Sequence, residues 1–312
     1  MRTAKNDENS LLERLRDSIG PAWLKSQLAA PPEHRHPIGE WYRLTQALLE
    51  DPPELRLESS GIHGSLAACY SLASDLYTLQ SHRRLQSSLI ERLKDHVEFS
   101  TTRYEIYVAA AFIRAGFTMD FESDESPLTR HCEFTATCSR TGRRFSVEAK
   151  RRASKPDELR MVSLFTVALA KQARYRRIIF LDWNRRYEAA QGNDLPHHVR
   201  DYLRRLRALE GKTFPLAVSN QSAYVFLTNT PWELYLESML PPFSLQVVGF
   251  QVPDFPEESA WVQHADEPNS PHFEICQLKR SLGHAWEAIF TVEGELNSEP
   301  VDPDRQSMTA II

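Results

Sequence analysis

Residues 132–150 read CEFTATCSRTGRRFSVEAK, two alternating runs on either side of SRTG. Successive side chains of a strand point to opposite faces, so the alternation assigns a side to each residue. Cys132, Phe134, Ala136 and Cys138 share one side, and Glu133, Thr135 and Thr137 the other. In the second run Phe145, Val147 and Ala149 lie opposite to Ser146, Glu148 and Lys150. With SRTG as the turn, Cys138 falls across from Arg143 and Phe134 across from Val147, which sets apolar against apolar. A slip of one residue would scramble both faces, so the register is constrained. It also sets Glu133 across from Glu148, with β-carbons about 4.5–5.5 Å apart. Facing carboxylates repel, and a chain that accepts this cost is expected to hold something positive between them, most simply a metal ion such as Mg²⁺. Lys150, on the same face as Glu148, suits the orientation of a water or the stabilisation of developing charge. The ordinary alternative is a surface ion pair on an exposed strand, worth about 0–1 kcal/mol.

The flanking pattern is α/β. Thr102 to Ala115 reads as a helix ended by Gly116, and on it Glu105 shares a stripe with Ala109 and Phe112 that faces the sheet. Thr102-x-x-Glu105 also matches a capping box, in which Glu105 bonds the backbone N–H of Thr102. A helix is expected from about Glu158 to Arg174, with Gln172 on its apolar stripe beside Val162, Phe165 and Leu169. IIFLDW suits a buried strand, HHVRDYLRRLRAL a helix and AYVFLT a strand, so the sheet is mixed. Residues 1–97 read as a helical N-terminal region and 98–230 as the core. Residues 231–312, with SLQVVGF, FEICQLK and AWEAIFTVEGE, read as a small C-terminal β region and a polar tail.

The chain has 312 residues and a net charge of −5; 41% is hydrophobic and 25% charged, as in ordinary globular proteins. No apolar run approaches the roughly 20 residues of a membrane span, and none resembles a signal peptide. The four cysteines form no CxxC pair, so a reducing, cytoplasmic setting is expected. Between Arg140 and Arg186, Lys and Arg outnumber Asp and Glu by roughly three to one, which suits a phosphate-bearing partner or a solvated face.

TTRYEIYVAAAFIRAGF, CEFTAT, FSVEAKRR and IIFLDW together resemble the core of the PD-(D/E)XK nuclease superfamily over about Phe99 to Asp182. The resemblance implies a restriction-endonuclease-like fold, a mixed sheet flanked by helices. It implies a Mg²⁺- or Mn²⁺-dependent nuclease, a hydrolase of phosphodiester bonds, with DNA as the expected substrate. Glu148 and Lys150 match the E-x-K element, Glu133 stands where the family usually has aspartate, and Glu105 matches the helix glutamate. Glu133, Glu148, Glu105 and the Ala149 carbonyl are then the expected metal ligands, and Arg151, Arg152, Lys155 and Gln172 the expected nucleic-acid contacts. The glutamate at 133 leaves a second class open: an inactive nuclease-fold module that binds nucleic acid or another protein. The N-terminal helices are candidates for an oligomer or partner interface.

Other features carry less. His197-His198 reads as a helix start, and Cys132 and Cys138 as core residues. His131 shares the face of Glu133 and is a candidate to approach it. Trp183 and Tyr187, near Arg185 and Arg186, either stack on bases or close a strand end. The chain has no P-loop, GxGxxG, G-x-S-x-G or HExxH, so nucleotide-driven, dinucleotide and zinc-peptidase chemistry have no support.

Overall fold

Gly142 has φ 71°, the left-handed backbone that the SRTG turn requires, and its N–H bonds the Cys138 carbonyl at 2.8 Å. Around that turn β2 (Phe134–Cys138) and β3 (Arg144–Arg151) pair antiparallel, with Phe134 opposite Val147 and Ala136 opposite Phe145. Cys138 N–H bonds the Arg143 carbonyl at 2.9 Å, so the register is the one expected. The computed structural model describes residues 5–50, 63–121, 133–152, 158–186, 196–210, 222–238, 244–256 and 267–283.

The hairpin is the seed of a six-stranded sheet in the order β1-β2-β3-β4-β5-β6. β1 (Phe117–Phe121) flanks β2 antiparallel. β4 (Arg176–Asp182) and β5 (Ala223–Asn229) continue parallel from β3, and β6 (Ser244–Phe250) closes the sheet antiparallel to β5. The helices before the sheet are α1 (Lys5–Ile19), α2 (Pro21–Ala29), α3 (Pro37–Glu50), α4 (Gly64–Thr78), α5 (Arg83–Leu93) and α6 (Phe99–Arg114). Later come α7 (Glu158–Ala170), α8 (His197–Leu209) and α9 over residues 273–283.

One sheet face carries Phe134, Val147, Ala149, Ile178, Phe180 and Phe226 and packs against α6. The run Ala109, Ala110, Ala111 lets α6 approach closely, and Phe112 meets Phe134 and Phe180 edge-on at 5.4 and 5.9 Å. Each such ring, fully buried, contributes about 1.5–3 kcal/mol. The same cluster continues into α1, α3, α4 and α9, from Leu12 to Leu282, so a single interior crosses residues 97–98 and 230–231. On the other face Ile179, Leu181, Val225 and Leu227 form a second cluster with Met161 and Phe165 of α7 and Val199 and Tyr202 of α8. That cluster stands on β4 and β5. The rest of the face, over β1–β3, is polar: Thr118, Asp120, Thr135, Thr137, Arg144 and Ser146 precede Glu148 and Lys150.

Four expectations are corrected. SLQVVGF does not found a separate β region; it is β6, hydrogen-bonded to β5 in the central sheet. FEICQLK is helical: Ile275, Leu278 and Leu282 recur at helical spacing into the core, while Arg143 and Thr141 bind the buried Glu274. α6 begins at Phe99, so Glu105 lies in its body and caps nothing. α7 stops at Ala170, which takes Gln172 off its apolar stripe. The segment AWEAIFTVEGE lies outside the described residues. Among the described residues no helix is long and apolar enough to cross a membrane.

Candidate active site

Glu133 stands one residue before β2, and its N–H bonds the Val147 carbonyl at 2.9 Å, which keeps it beside Glu148. Between the two carboxylates stand two ammonium groups. Lys150 Nζ lies 3.0 Å from Glu133 Oε1 and 2.5 Å from Glu148 Oε1. Lys171 Nζ lies 2.7 Å from Glu148 Oε1 and 3.4 Å from Glu133 Oε1. The repulsion between facing glutamates is thus offset within the chain itself, by a neutral ring of alternating charges.

Lys171 is the charged member of this cluster that the sequence reading passed over. The buried stripe of α7 is centred on Met161, Phe165 and Ala168, and Lys171 follows Ala168 by three, so it continues the inward side past the helix end. Two bonds hold it there. Buried Arg177 donates through Nη2 to the Lys171 carbonyl at 3.1 Å, and Tyr175 N–H donates to Ser146 Oγ on β3 at 3.2 Å. A guanidinium on the last carbonyls of a helix also complements its dipole.

The two carboxylates differ electrostatically. Glu148 is 1% exposed, and burial, reinforced by Glu133, pushes its carboxyl up to about 7. Burial pushes Glu133 up as well, but Lys150 and Lys171 outweigh it and leave its carboxyl below the usual range. A proton entering the cluster therefore goes to Glu148. Burial alone would lower Lys150; Glu148 and Glu133 reverse that and hold its ammonium charged well above the ordinary range. Both lysines approach Glu148 through Oε1, and Oε2 is buried with no hydrogen-bond partner among the described residues. An unpartnered buried carboxylate oxygen facing a second carboxylate suits a hard divalent cation, which takes oxygen ligands. The donor set is the Glu133–Glu148 pair; among the described residues no group of three or more His, Cys, Asp or Glu is gathered to hold a metal.

Glu105 does not join it. Arg92 engages both its oxygens, Nη1 to Oε2 at 2.8 Å and Nη2 to Oε1 at 3.3 Å. Its carboxyl is raised, first by burial, and Glu133 adds to the rise. Ala149 is buried between Glu148 and Lys150, with its methyl in the α6-side core.

Of the four expected nucleic-acid contacts, Arg151 and Arg152 are buried. Arg151 falls on the α6 side because the strand continues past Lys150 and alternation turns the next side chain inward. Its side chain is 1% exposed, 3.3 Å from Asp182 Oδ2, and donates to Asn184 Oδ1 at 3.0 Å and the Thr230 carbonyl at 3.2 Å. Asp182 also accepts from Thr228 Oγ1, Thr230 N–H and Thr230 Oγ1, at 2.8–2.9 Å. Arg152 is buried, with its N–H on the Asp182 carbonyl at 3.1 Å. Gln172 is exposed beyond α7, and Lys155, His131, Cys132 and Tyr187 lie outside the described residues. Trp183 is buried against His198 and Tyr202, which removes it as a base platform. Cys138 is a buried free thiol, as its face implied, and His197 starts α8 beside Asp201 at 3.1 Å.

No protein-family model, no curated protein and no solved structure matches the chain.

Proposed function

We propose that the chain is a metal-dependent nuclease, hydrolysing phosphodiester bonds of nucleic acid, with DNA as the first substrate to test, on a restriction-endonuclease-like core. The observation that carries this reading is the convergence of Glu133, Glu148 and Lys150, with the buried Glu148 Oε2 left unpartnered. A mixed sheet with helices on both faces agrees with that core. Glu133 and Glu148 would hold Mg²⁺ or Mn²⁺, which when bound supplies Lewis acidity at a phosphate oxygen and an acidified water. Lys150, kept charged by its two carboxylates, is placed to orient that water and to stabilise charge gathering on the phosphate. Lys171 supplies a second positive charge to the same carboxylate oxygens.

A second reading has its own observation. The two ammonium groups already complete the charge balance, as in an inactive module that keeps the fold for binding. Plasmid, linear and single-stranded DNA and RNA, incubated with Mg²⁺, Mn²⁺ or EDTA, separate the two. The nuclease reading expects metal-dependent cleavage that Glu148→Ala abolishes and Lys150→Ala slows about 10²–10³-fold. Cleavage that survives both substitutions rejects the site, and binding without cleavage in any metal favours the inactive module.

A further inference from the structure

Arg144 shares its face of β3 with Glu148, four residues down the strand and so about 13 Å away. Phe145 pairs with Arg176, which sets Tyr175 beside Arg144 on that face. The Arg144 guanidinium lies over the Tyr175 ring at 4.5 Å, and the exposed Arg174 lies 5.6 Å from the same ring. Arg174 has no carboxylate partner among the described residues, and Arg144 has only Asp120 at 3.6 Å, an exposed pair of little energy. Tyr175 is tied to β3 through Ser146, so this tier is fixed relative to Glu148. Between the two, Ser146 and Thr135 are buried, and the polar face is open over Thr118 and Asp120 of β1.

We propose that Arg144, Tyr175 and Arg174 bind a single strand of nucleic acid on the sheet face that carries Glu148 and Lys150. That such a strand is also cleaved rests on the nuclease reading; its binding rests on the tier alone. Two guanidinium groups, of which one has a long, exposed pairing with Asp120 and the other no carboxylate partner among the described residues, favour a polyanion. Arg144 already lies over the Tyr175 ring, and an arginine–aromatic stack of this kind is one that an unpaired base can extend. An acidic peptide would match the charge and leave those faces idle. The basic stretch seen in the sequence thereby acquires a location that the buried Arg151 and Arg152 do not provide.

Fluorescence anisotropy in EDTA tests binding apart from cleavage, with labelled oligothymidylate, oligouridylate and a mixed-sequence duplex, and polyglutamate as competitor. Either single strand should bind more tightly than the duplex and resist polyglutamate. Arg144→Ala with Arg174→Ala should weaken single-strand binding about tenfold or more and lower the log–log salt slope by about 1.4, at 0.7 per lost phosphate contact. Tyr175→Ala should weaken it about 5- to 100-fold while Tyr175→Phe restores it, each variant melting where the native protein does. Unchanged binding in the double arginine variant and in Tyr175→Ala overturns the proposal, as does tighter duplex binding or equal displacement by polyglutamate. Native cleavage with unaltered binding in these variants removes the tier and leaves the active site. Lost binding in these variants, with no cleavage in any metal, leaves the tier and removes the active site.

Discussion

At the residue scale, Glu148 couples the fold to pH. Its carboxyl rises from 4.5 to about 7 through burial and the neighbouring Glu133. Between those values the folded chain holds a proton that the unfolded chain has released, so stability falls as pH rises through the window. At 1% exposure the penalty is that of a buried group, about 3 kcal/mol when complete. Glu148→Gln keeps the shape of the protonated form and cannot ionise. Urea unfolding should therefore show native stability relative to Glu148→Gln declining by about 3 kcal/mol from pH 4.5 to pH 8. Parallel pH profiles for the two proteins would contradict this account of the cluster.

At the scale of single elements, legibility followed how many constraints met on each one. The β2–β3 hairpin was readable because the turn length and the two apolar faces agreed on one register, and the facing glutamates came with it. The seven residues FEICQLK satisfied both periodicities, and only the packing of α9 against the core decides for the helix. The end of α7 was misread by a few residues, and that shift exchanged Gln172 for Lys171 as the inward polar group. The metal expected between the carboxylates was an inference from repulsion, and the sequence could not reveal that two lysines, one of them distant, offset it. This gives Lys171 a testable signature. Lys171→Ala should cost about 2 kcal/mol above pH 7, where Glu148 is ionised and loses one of two counter-charges. At pH 5, where Glu148 carries its proton, the cost should be well under half of that. Denaturation at both pH values checks it, and a cost independent of pH would place the role of Lys171 in its pairing with Glu133 or in packing, not in its pairing with Glu148.

On the scale of the whole molecule, composition suggested three regions and the packing joins them. Asp75 on α4 and Arg103 on α6 form a fully buried pair at 2.8 Å, and Arg103 Nη2 also donates to Ser71 Oγ at 2.6 Å. Arg114 binds the other Asp75 oxygen at 2.9 Å, and Trp232 stacks 4.4 Å from Arg103. A residue of the N-terminal helices is therefore the counter-charge for two arginines of the helix that backs the sheet. Removing it leaves an uncompensated buried cation, so Asp75→Ala should destabilise the full chain by about 3–5 kcal/mol. The same argument reaches further than one pair. α4 covers α6 with Leu66, Leu72 and Leu76, all buried in the cluster that reaches β2 and β3. Residues 98–312 alone would expose that surface together with the unpaired Arg103. Expressed without residues 1–97, they should show no cooperative thermal transition, whereas the full chain should unfold with tryptophan fluorescence and far-ultraviolet dichroism in step. A cooperative melt from the truncated chain would instead make the helices a separable region, with an interior of their own.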